Sequence, residues 1–143
     1  MGIRAVFCGA ALAIGVATGV APAGDWTGAQ GWTPSDMERW YTLSQGSRLI
    51  PESWLSHLRT PTGLSFATPP AYTAYGYRFM NEGDPWPAGF VIDTDDTGRR
   101  WLGLNCAACH TSHLSANGST MVVHGGQAMA DFQAFTQDLL AAV

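Results

Sequence analysis

Residues 101–110 read Trp101-Leu102-Gly103-Leu104-Asn105-Cys106-Ala107-Ala108-Cys109-His110. A short run of strand character ends at an asparagine, a favoured helix N-cap. Two cysteines three apart follow, with a histidine directly after the second. On one helical turn, residues three apart share a face, so both thiols can grip one rigid object. Two thiols so placed match the two vinyl groups on the edge of a haem. The adjoining imidazole can then reach the iron from the proximal side. The spacing therefore predicts covalent attachment of one haem c through Cys106 and Cys109, with His110 as axial ligand. Alanine at both intervening positions favours the helix and keeps bulk off the porphyrin.

The same residues have rival uses. Cys106, Cys109, His110 and His113 form a nitrogen–sulfur set of the kind zinc takes. A structural zinc, however, usually draws its ligand pairs from separate segments, and all four here would crowd one helix. A Cys-x-x-Cys redox pair expects a preceding strand in a βαβ pattern and gives the adjacent histidine no role. A plain disulfide uses no histidine either.

Upstream, residues 1–23 carry one positive charge (Arg4), an apolar run rich in alanine and glycine, and Ala21-Pro22-Ala23. That trio has the small-x-small form of a signal-peptidase site, which predicts a cleaved export signal over 1–23 and a single haem domain over 24–143. The run lacks the large side chains of a stable membrane anchor. Of the three cysteines, Cys8 leaves with the signal, and the other two belong to the motif. No disulfide framework is left to build. The expected location is the periplasm, or outside a bacterial cell. The net charge of −4 becomes more acidic once Arg4 is lost. Such a surface offers no basic patch for nucleic acid or anionic lipid, and no later segment has membrane-spanning length.

Thr33-Pro34 predicts a helix start, with Ser35 and Glu38 as an alternative capping box, and Gly46 ends that helix after about Gln45. Pro51 opens a second short helix with Trp54, Leu55 and Leu58 along one stripe. Residues 60–87 read as an irregular wrapping segment whose Tyr72, Tyr75, Tyr77 and Phe79 fold over the haem or a neighbouring domain. Residues 89–93 and 101–104 pair as a small hairpin around Asp95-Asp96-Thr97-Gly98. After the motif come a turn at Asn117-Gly118, a short strand over 121–123 and an amphipathic helix from about Gln127 to Ala142. The expected fold class is mainly α: a cytochrome c-like haem domain with short helices, long irregular segments and a small β-hairpin.

The ligand on the far side of the iron largely sets what a haem does. His113, read as lying on the haem helix, stays on the proximal side. His124 is the first protein candidate for a distal ligand, with Met121, Met129 and Met80 behind it. An open or externally completed position stands beside them.

Several stretches, in order, resemble the N-terminal haem module of the di-haem cytochrome c peroxidase-like family, in the branch that includes bacterial rubber oxygenases. They are Tyr41-Thr42-Leu43-Ser44-Gln45-Gly46-Ser47 leading to Leu49-Ile50-Pro51 and Trp54-Leu55, then Tyr75-Gly76-Tyr77 and Pro87-Ala88-Gly89-Phe90. Trp101-Leu102-Gly103-Leu104-Asn105 and Gly125-Gly126 through Ala130-Asp131-Phe132 complete the set. The resemblance implies an exported, mainly helical protein built from two c-type haem modules, one of which accepts electrons or binds oxidant. This chain holds one such motif, so it is expected to be the N-terminal part of a longer di-haem protein or a stand-alone relative. Only Cys106, Cys109 and His110 carry over residue by residue. The expected function is single-electron transfer through one covalent haem, with a redox partner protein or a second haem domain as partner. The alternative is the N-terminal half of a peroxidase or oxygenase that activates peroxide or dioxygen.

Overall fold

A computed structural model describes residues 30–143; the export signal expected over 1–23 lies outside the described residues. The first helix, α1 (Pro34–Thr42), begins at a reciprocal cap. Thr33 Oγ1 accepts from the Asp36 amide, and the Asp36 carboxylate accepts from the Thr33 amide. The box therefore uses Thr33 and Asp36 rather than Ser35 and Glu38. The chain then straightens into β1 (Ile50–Pro51), where Ile50 pairs with Leu102, and turns through a single 3-10 turn, Glu52–Trp54. The helix expected after Pro51 is replaced by this turn, because pairing with the sheet holds the chain extended up to Pro51. Leu55 is driven inside and Trp54 is left 47% exposed.

A five-residue helix, α2 (Pro69–Thr73), precedes the expected hairpin, which is present as β2 (Phe90–Thr94) and β3 (Arg100–Leu104). Asp95 builds its turn. One carboxylate oxygen accepts from the Thr97 and Arg99 amides, and the other accepts from Trp101 Nε1 at 2.8 Å. The sheet is antiparallel in the order β1-β3-β2. A one-turn helix, α3 (Cys106–Cys109), follows β3 directly. A second antiparallel pair, β4 (Thr111–Ala116) and β5 (Ser119–His124), comes next, and α4 (Phe132–Ala141) closes the order.

This arrangement overturns the mainly α, cytochrome c-like expectation. Among the described residues, four short helices and the 3-10 turn give 27% helix against 23% strand, and two antiparallel sheets make the class mixed α/β. The physical reason lies just past the motif. Asn117 and Gly118 both take positive φ (51° and 78°), the conformation a tight two-residue hairpin needs and one that these two residues tolerate best. Thr111, Thr120, Val122 and Val123 flank that turn with β-branched side chains, which prefer a strand. His113 therefore lies on β4, opposite Val122, and not on the haem-motif helix.

The core is an aromatic cluster built around Phe135 of α4. Its ring meets Tyr75, Tyr77 and Phe90 edge-on at centroid distances of 5.5–5.6 Å, and Tyr77 meets Phe90 at 4.7 Å. Each such pair adds about 0.5–1.5 kcal/mol beyond the area it buries. Tyr72, Tyr75 and Tyr77, expected to fold over the haem or a neighbouring domain, are core residues that join the irregular segment to α4 and β2.

Candidate functional site

The motif turn is held from several directions. Asn105 caps α3, its Oδ1 accepting from the Ala107 amide at 2.9 Å. Its Nδ2 donates to the carbonyls of Trp40 and Leu43, at 3.0 and 3.1 Å, tying α3 to the end of α1. Its backbone amide donates to Gly89 O. On the far side of the turn, Gly125 N donates to His110 O and Ala128 N to Cys109 O, both at 2.8 Å. Gly89 allows the closest approach: at φ +79° its backbone lies where an added Cβ would sit 1.9 Å from the Ala108 amide nitrogen.

This bracing sorts the motif by face. Ala107 and Ala108 are 1% and 3% exposed, whereas Cys106, Cys109 and His110 are all exposed. Both cysteines are free thiols, and His110 is the residue that ends α3. Cys106 Sγ donates to Gln45 Oε1 at 3.3 Å. Gln45 in turn lines an open groove of about 410 Å³, with Trp32, Trp40 and Leu43 as its apolar walls and Arg39 and Asp36 in its polar lining. The indole N–H of Trp40 is buried and has no partner among the described residues.

A thioether-linked haem needs two accessible reduced thiols one turn apart, an accessible imidazole beside them and apolar surface nearby. These residues fit that requirement. The groove beside Cys106 supplies tryptophan and leucine walls, and the orphaned Trp40 N–H is a donor that a carboxylate side arm would satisfy. A zinc cage is not assembled: among the described residues no three of His, Cys, Asp and Glu gather into a group that could hold a metal ion.

The distal candidates are scattered. His124 is buried at the end of β5, where its Nδ1 pairs with the Tyr41 hydroxyl at 2.6 Å and its ring packs against Trp32. Burial pushes the imidazole below its ordinary pKa and holds it neutral. One ring nitrogen is thereby occupied, which leaves Nε2 for any other partner. Met129, read from sequence as a helix-face residue, is 81% exposed ahead of α4. Met121 is half-buried on β5, and Met80 lines a separate groove with Tyr41 and Trp86. Sequence reasoning found the Asn105 cap but not its bridge to α1, and it missed Gln45 and Tyr41 as partners of Cys106 and His124. Those contacts span 61 and 83 residues of chain, so no local pattern records them.

No family model matches the chain, and no solved structure matches it. It is similar to the uncharacterized protein y4iJ of Sinorhizobium fredii, at 30% identity over 127 aligned residues. The match covers 74% of this chain and 21% of the relative, so the chain spans about a fifth of the relative's length. Among the described residues, no helix is long and apolar enough to cross a membrane.

Proposed function

We propose that this chain is an exported c-type cytochrome module that carries one covalent haem and passes single electrons. The observation that carries the reading is the sorting of the motif: both thiols and the imidazole lie exposed on a turn whose two alanines are buried and braced. Cys106 and Cys109 would hold the group as thioethers, and His110 would supply the proximal nitrogen. When bound, the group supplies one-electron Fe(III)/Fe(II) chemistry. The chain's own residues do the rest. Asn105 and Gly89 fix the turn, Trp32, Trp40 and Leu43 offer a dry wall, and Arg39 and the Trp40 N–H offer donors for negative charge. The match to about a fifth of a longer relative supports reading the chain as one module of a larger protein. The ordered motifs resembling the di-haem cytochrome c peroxidase-like family point the same way. A second haem domain or a redox protein is then the partner, and the periplasm the place where thiols and exported haem meet.

The test is production with an export signal and a haem-attachment system, followed by a pyridine haemochrome spectrum and an intact mass. Wild type should gain the mass of one haem. Cys106→Ala and Cys109→Ala should each lose one thioether or all haem, and His110→Ala should lose the low-spin spectrum. A colourless protein with the mass of the bare polypeptide would refute the reading. Carbon monoxide binding to the reduced protein then reads the distal position: a firm His124 ligand blocks it, and an open iron takes it readily.

A further inference from the structure

Four buried side-chain polar atoms lack a hydrogen-bond partner among the described residues, and three of them belong to residues lining one cleft. They are Tyr77 Oη, His113 Nε2 and Thr111 Oγ1; the last lies within reach of the Tyr41 side chain, so the first two carry the argument. The cleft, of about 110 Å³, lies between the 76–78 segment, the buried side of α3, the start of β4 and residues 128–130. That is room for several waters or one small molecule. Tyr77 is only 3% exposed, so its hydroxyl has little access to bulk solvent. Buried polar atoms are rarely left unpaired, and a cluster of them around a single space calls for a partner from outside the chain.

The lining chooses that partner's charge. Arg78 contributes a guanidinium, and among the described residues no carboxylate lines the cleft. The nearest acid acting on Tyr77 is Asp131, whose carboxylate is engaged in capping α4 through the Ala134 amide at 2.8 Å. Burial, with the Asp131 charge adding to it, keeps the Tyr77 phenol protonated and so a donor. Burial and Arg78 keep His113 neutral, with one N–H to give. Ala107 and Ala108 give the cleft an apolar wall of small side chains.

We propose that this cleft binds a small planar oxyanion of the formate, nitrite or bicarbonate class. The ligand accepts hydrogen bonds from Tyr77 Oη and His113 Nε2, while Arg78 supplies the countercharge. The site lies against the inner face of the turn whose outer face carries the two thiols, and it uses neither thiol nor the imidazole of the motif.

Thermal unfolding of the matured protein in 100 mM sodium formate, against 100 mM sodium chloride at the same pH, tests this. A dissociation constant of about 10 mM would raise the midpoint by about 5 °C or more. Tyr77→Phe and His113→Gln should abolish that rise. In chloride, Tyr77→Phe should melt close to wild type, since the hydroxyl it removes has no protein partner. The visible spectrum of the wild type should not change with formate. Three outcomes overturn the proposal: no rise in formate, a rise that persists in both variants, or a spectral shift placing the anion on the iron. The melt reads equally in a protein without haem, so failure here is distinct from failure of the cytochrome reading.

Discussion

Replacing Asn105 dissects how the motif is anchored. Its amide orientation is fixed by its partners: the Ala107 N–H can only donate, and the Trp40 and Leu43 carbonyls can only accept. Oδ1 must therefore cap α3 while Nδ2 bridges to α1. Asn105→Ala removes the cap, worth about 1 kcal/mol. It also strips two carbonyls of a donor at a site that is 6% exposed, at about 1 kcal/mol each. The expected loss is about 2–4 kcal/mol, a large share of a small domain's stability. Asn105→Ser keeps an oxygen for the cap alone and should recover about 1 kcal/mol of that loss. Asn105→Asp is the sharpest variant, because it keeps the cap acceptor but sets a carboxylate oxygen against two carbonyl oxygens. At neutral pH it should be at least as unstable as the alanine variant. Its folded-state pKa would be raised, so the protonated form is favoured in the fold. Stability from that proton is fully present below the unfolded carboxyl pKa of about 3.9 and lost as pH rises through the folded value. The deficit against wild type should therefore narrow in acid. Urea unfolding followed by far-UV circular dichroism at several pH values reads all three. An aspartate variant within about 0.5 kcal/mol of wild type at neutral pH would show that the amide does not bridge α1 and α3.

Gly89→Ala should be severe, at about 4 kcal/mol or more, since its φ is +79° and the new Cβ would strike the Ala108 backbone. A soluble variant with an unchanged urea midpoint would show that β2 and α3 are not in contact there. Both His113 and His124 have pKa values lowered by burial from 6.5, so the unfolded chain binds more protons than the fold between the lowered values and 6.5. Their contribution is fully present above pH 6.5 and lost as pH falls through that window. Urea midpoints should drop between about pH 8 and pH 5, and His113→Gln with His124→Gln should flatten the curve. A flat wild-type profile would remove the case that these rings are buried neutral.

Local chemistry was legible in the sequence wherever a short segment contained its own reason. Thr33-Pro34 starts α1, Asp95-Asp96-Thr97-Gly98 turns the hairpin, and Asn105 caps the motif. The second hairpin was only half legible. Asn117-Gly118 marked a turn and 121–123 a strand, but β4 itself is Thr-Ser-His-Leu-Ser-Ala, with no alternation of apolar and polar residues. Only pairing with β5 makes it a strand, and that tertiary preference overrides the helix extrapolated from Cys106 through His113. The same holds for residues 60–87. Nothing nearby shows that Tyr75 and Tyr77 face Phe135, because that contact is made only once α4 arrives some sixty residues later.

The distribution of these contacts bears on how the motif works. A tethered cofactor keeps its geometry only if the turn that carries it cannot shift, and four residues of helix cannot hold themselves. Rigidity must be imported, and each part of the turn takes it from a different element. The Asn105 side chain draws on α1, its amide and Ala108 draw on the start of β2, and the carbonyls of Cys109 and His110 draw on the 125–128 segment. The aromatic cluster then locks β2 to α4 through Phe90 and Phe135. None of these braces uses a thiol or the imidazole. Cys106, Cys109 and His110 therefore remain free of structural duty apart from the weak Cys106–Gln45 contact, and if they hold the proposed haem, attaching or losing it should leave the platform standing.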